Sequence, residues 1–207
     1  KAYWGNLPNI MVIPNAISGI PAGTALLENK RVIAVGRYTY QKGFERLVDA
    51  WHLLASRFPD WKLDIIGDGE ERPLLEQRIH AYGLDRQVTL TRPTQEIDKA
   101  YMEASILASS SRYEGLPMVL LEAQAFGLPI VAFQCKCGPK DIVSDGMNGY
   151  LVPEGDTAGM AQRLEILIKD EALRKRMGLK AKESALRFNE EVIMKKWMYT
   201  FQTLKER

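Results

Sequence analysis

Short β-branched runs alternate with stretches of helical spacing along most of this chain. Residues 31–35 (RVIAV) form one such run, stopped by Gly36. Residues 43–58 then place Phe44, Leu47, Val48, Trp51, Leu54 and Phe58 on one helix face. Residues 62–66 and the turn GDGE repeat the strand, and 72–82 read as a helix closed by Gly83. The pattern predicts further strands over 88–90, 105–108, 129–133 and 150–152, with helices over 95–103 and from Pro117. Three helical stretches follow, over 157–169, 171–188 and 189 to about 204, with no strand between them. Six strands alternating with helices predict parallel pairing through right-handed crossovers, an α/β doubly wound six-stranded sheet of Rossmann-like type with extra C-terminal helices. Residues 1–30 carry one apolar run at 10–13, then Pro14, Asn15, Gly19, Pro21 and Gly23, and read as a strand or linker followed by a loop. The expected division is a lead-in over 1–30, a ligand-binding domain over 31–188 and a C-terminal helix over 189–207.

Composition narrows the function classes. The chain has 207 residues, 46% apolar and 26% charged, with a formal net charge of +2. These are ordinary globular proportions, and so small a net charge gives no electrostatic case for a nucleic-acid partner. The two cysteines, Cys135 and Cys137, are separated by one residue, without a second Cys or His pair nearby. That is not zinc spacing, so they read as reduced thiols in a cytoplasmic protein and no metal is expected. No apolar run is long enough to span a bilayer, and no charged segment followed by an apolar one opens the chain. The start at Lys1 points to a fragment.

In a doubly wound sheet, ligands bind beyond the strand C-termini at the topological switch point. The loops there span 36–42, 67–70, 91–95, 109–117 and 134–140. The first, GRYTYQKG, sets Arg37 just after a strand and Lys42 at a helix start. Arg grips phosphate oxygens in two places and Lys adds a point charge. Gly67, Asp68 and Gly69 suit either a phosphate turn or a plain tight turn. In SRYEGLPMVLLEAQAFG, Glu114 precedes a Gly-Leu-Pro breaker, and Pro117 suits the first helical position. The N-H groups of Met118 and Val119 then lack intrahelical partners and form an anion seat. Glu122, amid Val119, Leu120, Leu121, Ala123 and Ala125, needs a hydrogen-bond partner, from the protein or from a ligand. Two cations and helix amides between two carboxylates fit a phosphate core flanked by hydroxyl-rich groups, as in a nucleotide-sugar.

The residues GR and QKG, the later GDGE, and EGLPMVLLEAQAFGLPIV with Glu114 and Glu122 together resemble the C-terminal, nucleotide-sugar-binding domain of GT-B glycosyltransferases of family 4 (glycosyl transferases group 1). The resemblance spans about residues 14–188. VIPNAI at 12–17 is similar to the linker entering that domain, and CGPKDIVSDGMNGYLV at 137–152 to the stretch after the glutamate pair. By this resemblance Arg37 and Lys42 hold the diphosphate, Glu122 the ribose and Glu114 the donor sugar. Main-chain groups of Gly115, Leu116, Met118 and Val119 hold sugar and phosphate, and Pro93 and Thr94 the base.

The implied reaction is retaining, metal-independent transfer from a nucleoside-diphosphate sugar, UDP-type favoured, to a hydroxyl. The acceptor is a glycan or lipid-linked sugar in bacterial polysaccharide or glycan synthesis, and no further cofactor is implied. Glu114, Arg37 and Lys42 are the candidate catalytic residues. The N-terminal acceptor domain is absent from the chain, so the isolated piece is expected to bind nucleotide and turn over little. Three departures from the family stand out: serines at 109–111, Arg92 in place of glycine beside the base pocket, and Asp141 in place of glutamate. Alternatives are a sugar-nucleotide epimerase, a phosphorylase or a pure nucleotide-sugar-binding module. His52 and His80 read as structural or exposed. A basic-rich stretch over 169–187, followed by Lys195, Lys196, Trp197, Tyr199 and Phe201, leaves peripheral attachment to the inner membrane face as an alternative to a solvated basic face.

Overall fold

The computed structural model describes residues 10–205. Six strands, β1 (Arg31–Val35), β2 (Lys62–Ile66), β3 (Val88–Thr91), β4 (Ile106–Ser109), β5 (Ile130–Gln134) and β6 (Gly149–Pro153), form one sheet in the order β3-β2-β1-β4-β5-β6. All neighbouring pairs are parallel. The expected doubly wound sheet is therefore present, and its order reverses between β1 and β4. Continuous apolar strands such as β4 and β5 suit this architecture, because helices cover both faces.

The helices are α1 (Phe44–Ala55), α2 (Arg72–Ala81), α3 (Ile97–Met102), α4 (Met118–Ala125), α5 (Pro139–Ile142), α6 (Thr157–Lys169), α7 (Glu171–Ala185) and α8 (Glu190–Lys205). Val32, Ala34 and Ile65 join Leu47, Trp51 and Leu164 in the core on one side of the sheet. Ile33, Leu107 and Ala132 join Leu120, Leu121 and Phe126 on the other. Alternate residues of β1 thus enter opposite cores, as the two-residue period of a strand requires.

Several boundaries differ from the sequence reading. Pro117 is the N-cap of α4, with φ −72° and ψ 100°, rather than its first helical residue. The stretch read as one helix over 171–188 ends at Ala185 and tightens into a 3-10 turn over Leu186–Phe188. α5 had no counterpart in the sequence reading. Residues 10–13 form no strand; the lead-in instead docks by hydrogen bonds, Ile17 N to Phe188 O at 2.9 Å and Ala25 N to Phe126 O at 2.9 Å. Arg174, 3% exposed, donates to Leu27 O at 2.9 Å and Leu167 O at 2.6 Å, tying α7 to that lead-in. No helix among the described residues is long and apolar enough to cross a membrane.

Candidate active site at the strand switch point

The loop after β1 is held from below by Tyr38, which is fully buried. Its hydroxyl lies 2.8 Å from Ile65 O and 3.1 Å from Thr91 O, and burial pushes its pKa to about 12, so it stays a donor. The main chain adds Gly36 N to Ile66 O at 3.0 Å and Tyr38 N to Asp68 O at 2.8 Å. The GDG turn is accordingly a structural brace. Its Gly69 N-H is spent on the Asp68 carboxylate at 2.9 Å, and Gly67 N on Thr91 O at 2.8 Å.

The N-cap of α1 is Gly43, whose φ of 58° lies in the left-handed region. A Cβ there would stand 2.7 Å from Ser110 O, so only glycine lets the β1 and β4 loops close on each other. Across that seam Lys42 Nζ meets Glu114 Oε1 at 2.7 Å, with side chains 16% and 8% exposed. Ser111 Oγ donates to the same Glu114 oxygen at 2.7 Å. Glu114 is thus held in one orientation by a cation and a hydroxyl. Burial pushes the neighbouring Cys135 thiol above its usual range, and the Glu114 carboxylate adds to that shift.

Beside Glu114, the α4 N-terminus presents the N-H groups of Met118 and Val119 without main-chain partners among the described residues; the first turn closes at Leu120 N to Pro117 O, 3.0 Å. Gly138, at φ 89°, lets the β5 loop pack on this turn, since a Cβ there would lie 2.6 Å from both Gly115 O and Pro117 Cδ. Glu122, four residues into α4, is half-buried. Tyr101, 1% exposed, donates its hydroxyl to Glu122 Oε2 at 2.8 Å, and burial together with that carboxylate drives its pKa up strongly. The protein therefore supplies one partner for Glu122, on Oε2.

Arg37 is exposed and makes no side-chain hydrogen bond among the described residues. It borders a cavity of about 500 Å³ at the ends of β1 and β2, lined also by Val35, Gly36, Ile66, Gly67, Asp68, Pro93, Thr94 and Ile97. The proposed base and phosphate residues on this side share one space. A second cavity of about 500 Å³ opens past Gly115 and Leu116, towards Asn15, Asp141, Arg187 and Lys196. Arg92 is exposed at the end of β3. His52 is exposed and stacks on Tyr82 at 4.2 Å, and His80 lies 3.4 Å from Asp85, both away from these cavities.

The structure brings Lys42, Glu114, Gly115, Leu116, Met118 and Val119 together at the β1/β4 switch point. It sets Arg37, Pro93 and Thr94 to one side. Sequence reading missed Ser111, Tyr101, Gly138 and Arg112. Ser111 and Arg112 stood inside the stretch SRYEG without being given a role, and a tyrosine facing a carboxylate on an apolar helix was the available signal for Tyr101.

Comparison with known proteins agrees with this fold. The family model described as glycosyl transferases group 1 matches residues 21–184. The amylovoran biosynthesis glycosyltransferase AmsD of Erwinia amylovora is 41% identical over 170 residues, covering 82% of this chain and 47% of that protein. A crystal structure of a TarM variant from S. aureus, in complex with Fondaparinux, alpha-GlcNAc-glycerol and UDP, is 28% identical. It superimposes with a TM-score of 0.82 over 93% of this chain and 38% of that one. The C-terminal domain of the glycosyl transferase group 1 protein LpcC from Francisella tularensis is also 28% identical. Its TM-score is 0.69, with 76% of this chain and 85% of that one covered. The chain spans about half the length of curated relatives such as AmsD. With the fold of the C-terminal domains of GT-B glycosyltransferases, the chain belongs to the glycosyl transferases group 1 family.

Proposed function

We propose that this chain is the donor-binding half of a retaining, metal-independent glycosyltransferase that takes a nucleoside-diphosphate sugar, UDP-type favoured, and serves bacterial polysaccharide synthesis. The observation that carries the reading is the meeting of Lys42 and Glu114, at 2.7 Å, beside the open N-terminus of α4. Lys42, Arg37 and the Met118 and Val119 N-H groups line the path for a diphosphate. As the bond from the anomeric carbon to the diphosphate breaks and one to an acceptor oxygen forms, negative charge gathers on the departing phosphate, which takes up the proton that the acceptor hydroxyl loses. Fixed cations and amides stabilise that charge without reorganising. Glu122 takes a ribose hydroxyl on the oxygen that Tyr101 leaves open, and the Pro93 and Thr94 side of the Arg37 cavity takes the base.

Glu114 is engaged by Lys42 and Ser111 and only 8% exposed, which favours a sugar-orienting acceptor over a free nucleophile. The reaction also needs an acceptor-binding domain of the kind that GT-B enzymes place across the cleft, so the chain by itself binds donor and turns over little. Calorimetric titration with UDP, GDP and ADP tests the reading. One nucleotide, UDP first, is expected to bind clearly better than the others. Equal and negligible heats for all three would sink it.

A further inference from the structure

The ladder between β1 and β4 is short, pairing Val32 with Ile106 and Ile33 with Leu107. Beyond it the two loops that carry Lys42 and Glu114 leave the sheet, so strand pairing does not set the gap between them. Something else must, because charge-assisted contacts to a diphosphate lose their value within an ångström. The contacts across the gap converge on Arg112. Its N-H donates to Gln41 O at 2.8 Å. Its guanidinium lies 3.8 Å over the Tyr40 ring, donates through Nη1 to Tyr40 O at 2.5 Å, and donates through Nη2 to the Glu45 carboxylate on the first turn of α1. The side chain is 15% exposed and Glu45 11%. Two weaker ties flank it, Gln41 Nε2 to Tyr113 O at 3.1 Å and Ser110 Oγ to Lys42 O at 2.9 Å.

We infer that Arg112 is a positioning residue for donor binding, clamping the phosphate loop to the glutamate loop so that Lys42, Glu114 and the α4 amides converge on one diphosphate. This inference rests on the donor-site reading above. The planar fork is what the place demands: one edge takes a carbonyl of the phosphate loop, another a carboxylate of α1, and the face stacks on Tyr40. A lysine cannot do all three. Glu45 pairs with Nη2 of the half-buried guanidinium, with Arg46 Nε also 3.8 Å from its carboxylate. Glu71 is the other charged neighbour; burial and Glu45 raise its pKa while Arg112 opposes them.

The test separates placement from stability by pairing R112M with the double variant E45Q/R112M, which removes the carboxylate that R112M strands. UDP affinity is measured by calorimetry well below each variant's Tm, with K42M as the reference for the donor site. The expected result is UDP binding roughly ten- to hundredfold weaker in R112M, unrestored in E45Q/R112M although the double variant recovers most of the lost Tm. R112K, which keeps the charge without the fork, is expected to fail as a rescue, and it takes the place of R112M should that variant not fold. UDP affinity that recovers with Tm in the double variant, or that never falls in R112M or R112K, overturns the positioning role. Absence of UDP binding by the wild type, or K42M binding as the wild type does, removes the donor-site reading and the positioning role with it.

Discussion

Replacing Glu114 with glutamine separates the two jobs that the structure gives this side chain. In the free protein Glu114 Oε1 accepts from Lys42 at 2.7 Å and from Ser111 at 2.7 Å, in a place where its side chain is 8% exposed. E114Q keeps the shape and one acceptor oxygen but drops the charge. A hydrogen bond to a charged group contributes about 1.5–3 kcal/mol and a neutral one about 0.5–1.5 kcal/mol, so each of these two bonds weakens by about 1 kcal/mol. Lys42 also loses its counter-ion while staying largely out of water, which brings the total to about 2–4 kcal/mol and the Tm down by several degrees in a chain of this size. The same change frees Lys42 for a diphosphate. UDP affinity is therefore expected to hold or to rise by up to about fivefold, since about 1 kcal/mol no longer goes into breaking the pair. A UDP-sugar loses its sugar-side acceptor, so its advantage over UDP shrinks. Calorimetry with UDP and a UDP-sugar on E114Q, beside thermal unfolding, reads all three. An E114Q protein that loses UDP affinity as severely as K42M would refute the reasoning, because Glu114 would then hold the nucleotide rather than compete with it.

Other expectations follow from single contacts. Y101F removes the hydroxyl that donates to Glu122 at 2.8 Å and leaves that carboxylate without its protein partner. A loss of about 1–3 kcal/mol in chemical denaturation is expected, and unchanged stability would mean the contact carries no weight. G43A forces a Cβ to 2.7 Å from Ser110 O at a φ of 58°, so both stability and UDP affinity should fall, whereas the exposed G83A, with open space around its Cβ, should leave UDP affinity untouched. Glu165 accepts from Arg57 at 2.5 Å and Lys169 at 2.6 Å, hydrogen bonds that lower its pKa from 4.5 to about 2. A depressed carboxylate contributes stability that is full above the unfolded value, near pH 4.5, and is lost as pH falls through about 2. The Tm gap between wild type and R57A should therefore be constant at neutral pH and close towards pH 2; a gap that widens on acidification would contradict this.

Much of the fold was legible because its strands are short, apolar and punctuated. RVIAV stopped by Gly36 and KLDII stopped by GDG needed only local chemistry to be found. The four-residue α5 and the 3-10 turn at Leu186–Phe188 were not, since both are too short to show a period and depend on packing. Composition favours Pro117 at the first helical position, whereas its extended ψ of 100° makes it the N-cap. At the site, Glu114 and Lys42 were visible as residues but not as a pair, because 72 positions separate them and only the parallel placing of β1 beside β4 brings their loops together. Arg112 was invisible for the same reason. Nothing in SRYEG tells which of its charged groups turns towards the ligand and which turns back to bind Glu45. Glu122 was read as a carboxylate in need of a partner from the protein or a ligand, and Tyr101 is a protein partner, on Oε2.

The account stands on the proposal that Lys42 and the start of α4 seat a diphosphate and that Arg37 reaches it from the neighbouring cavity. Titration of UDP into the wild type, R37A and K42A at one fixed ionic strength tests it most directly. Each charge-assisted contact contributes about 1.5–3 kcal/mol, so saturable UDP binding should weaken by about ten- to hundredfold in each variant, with unfolding still cooperative. UDP binding equally well to all three proteins would contradict the claim.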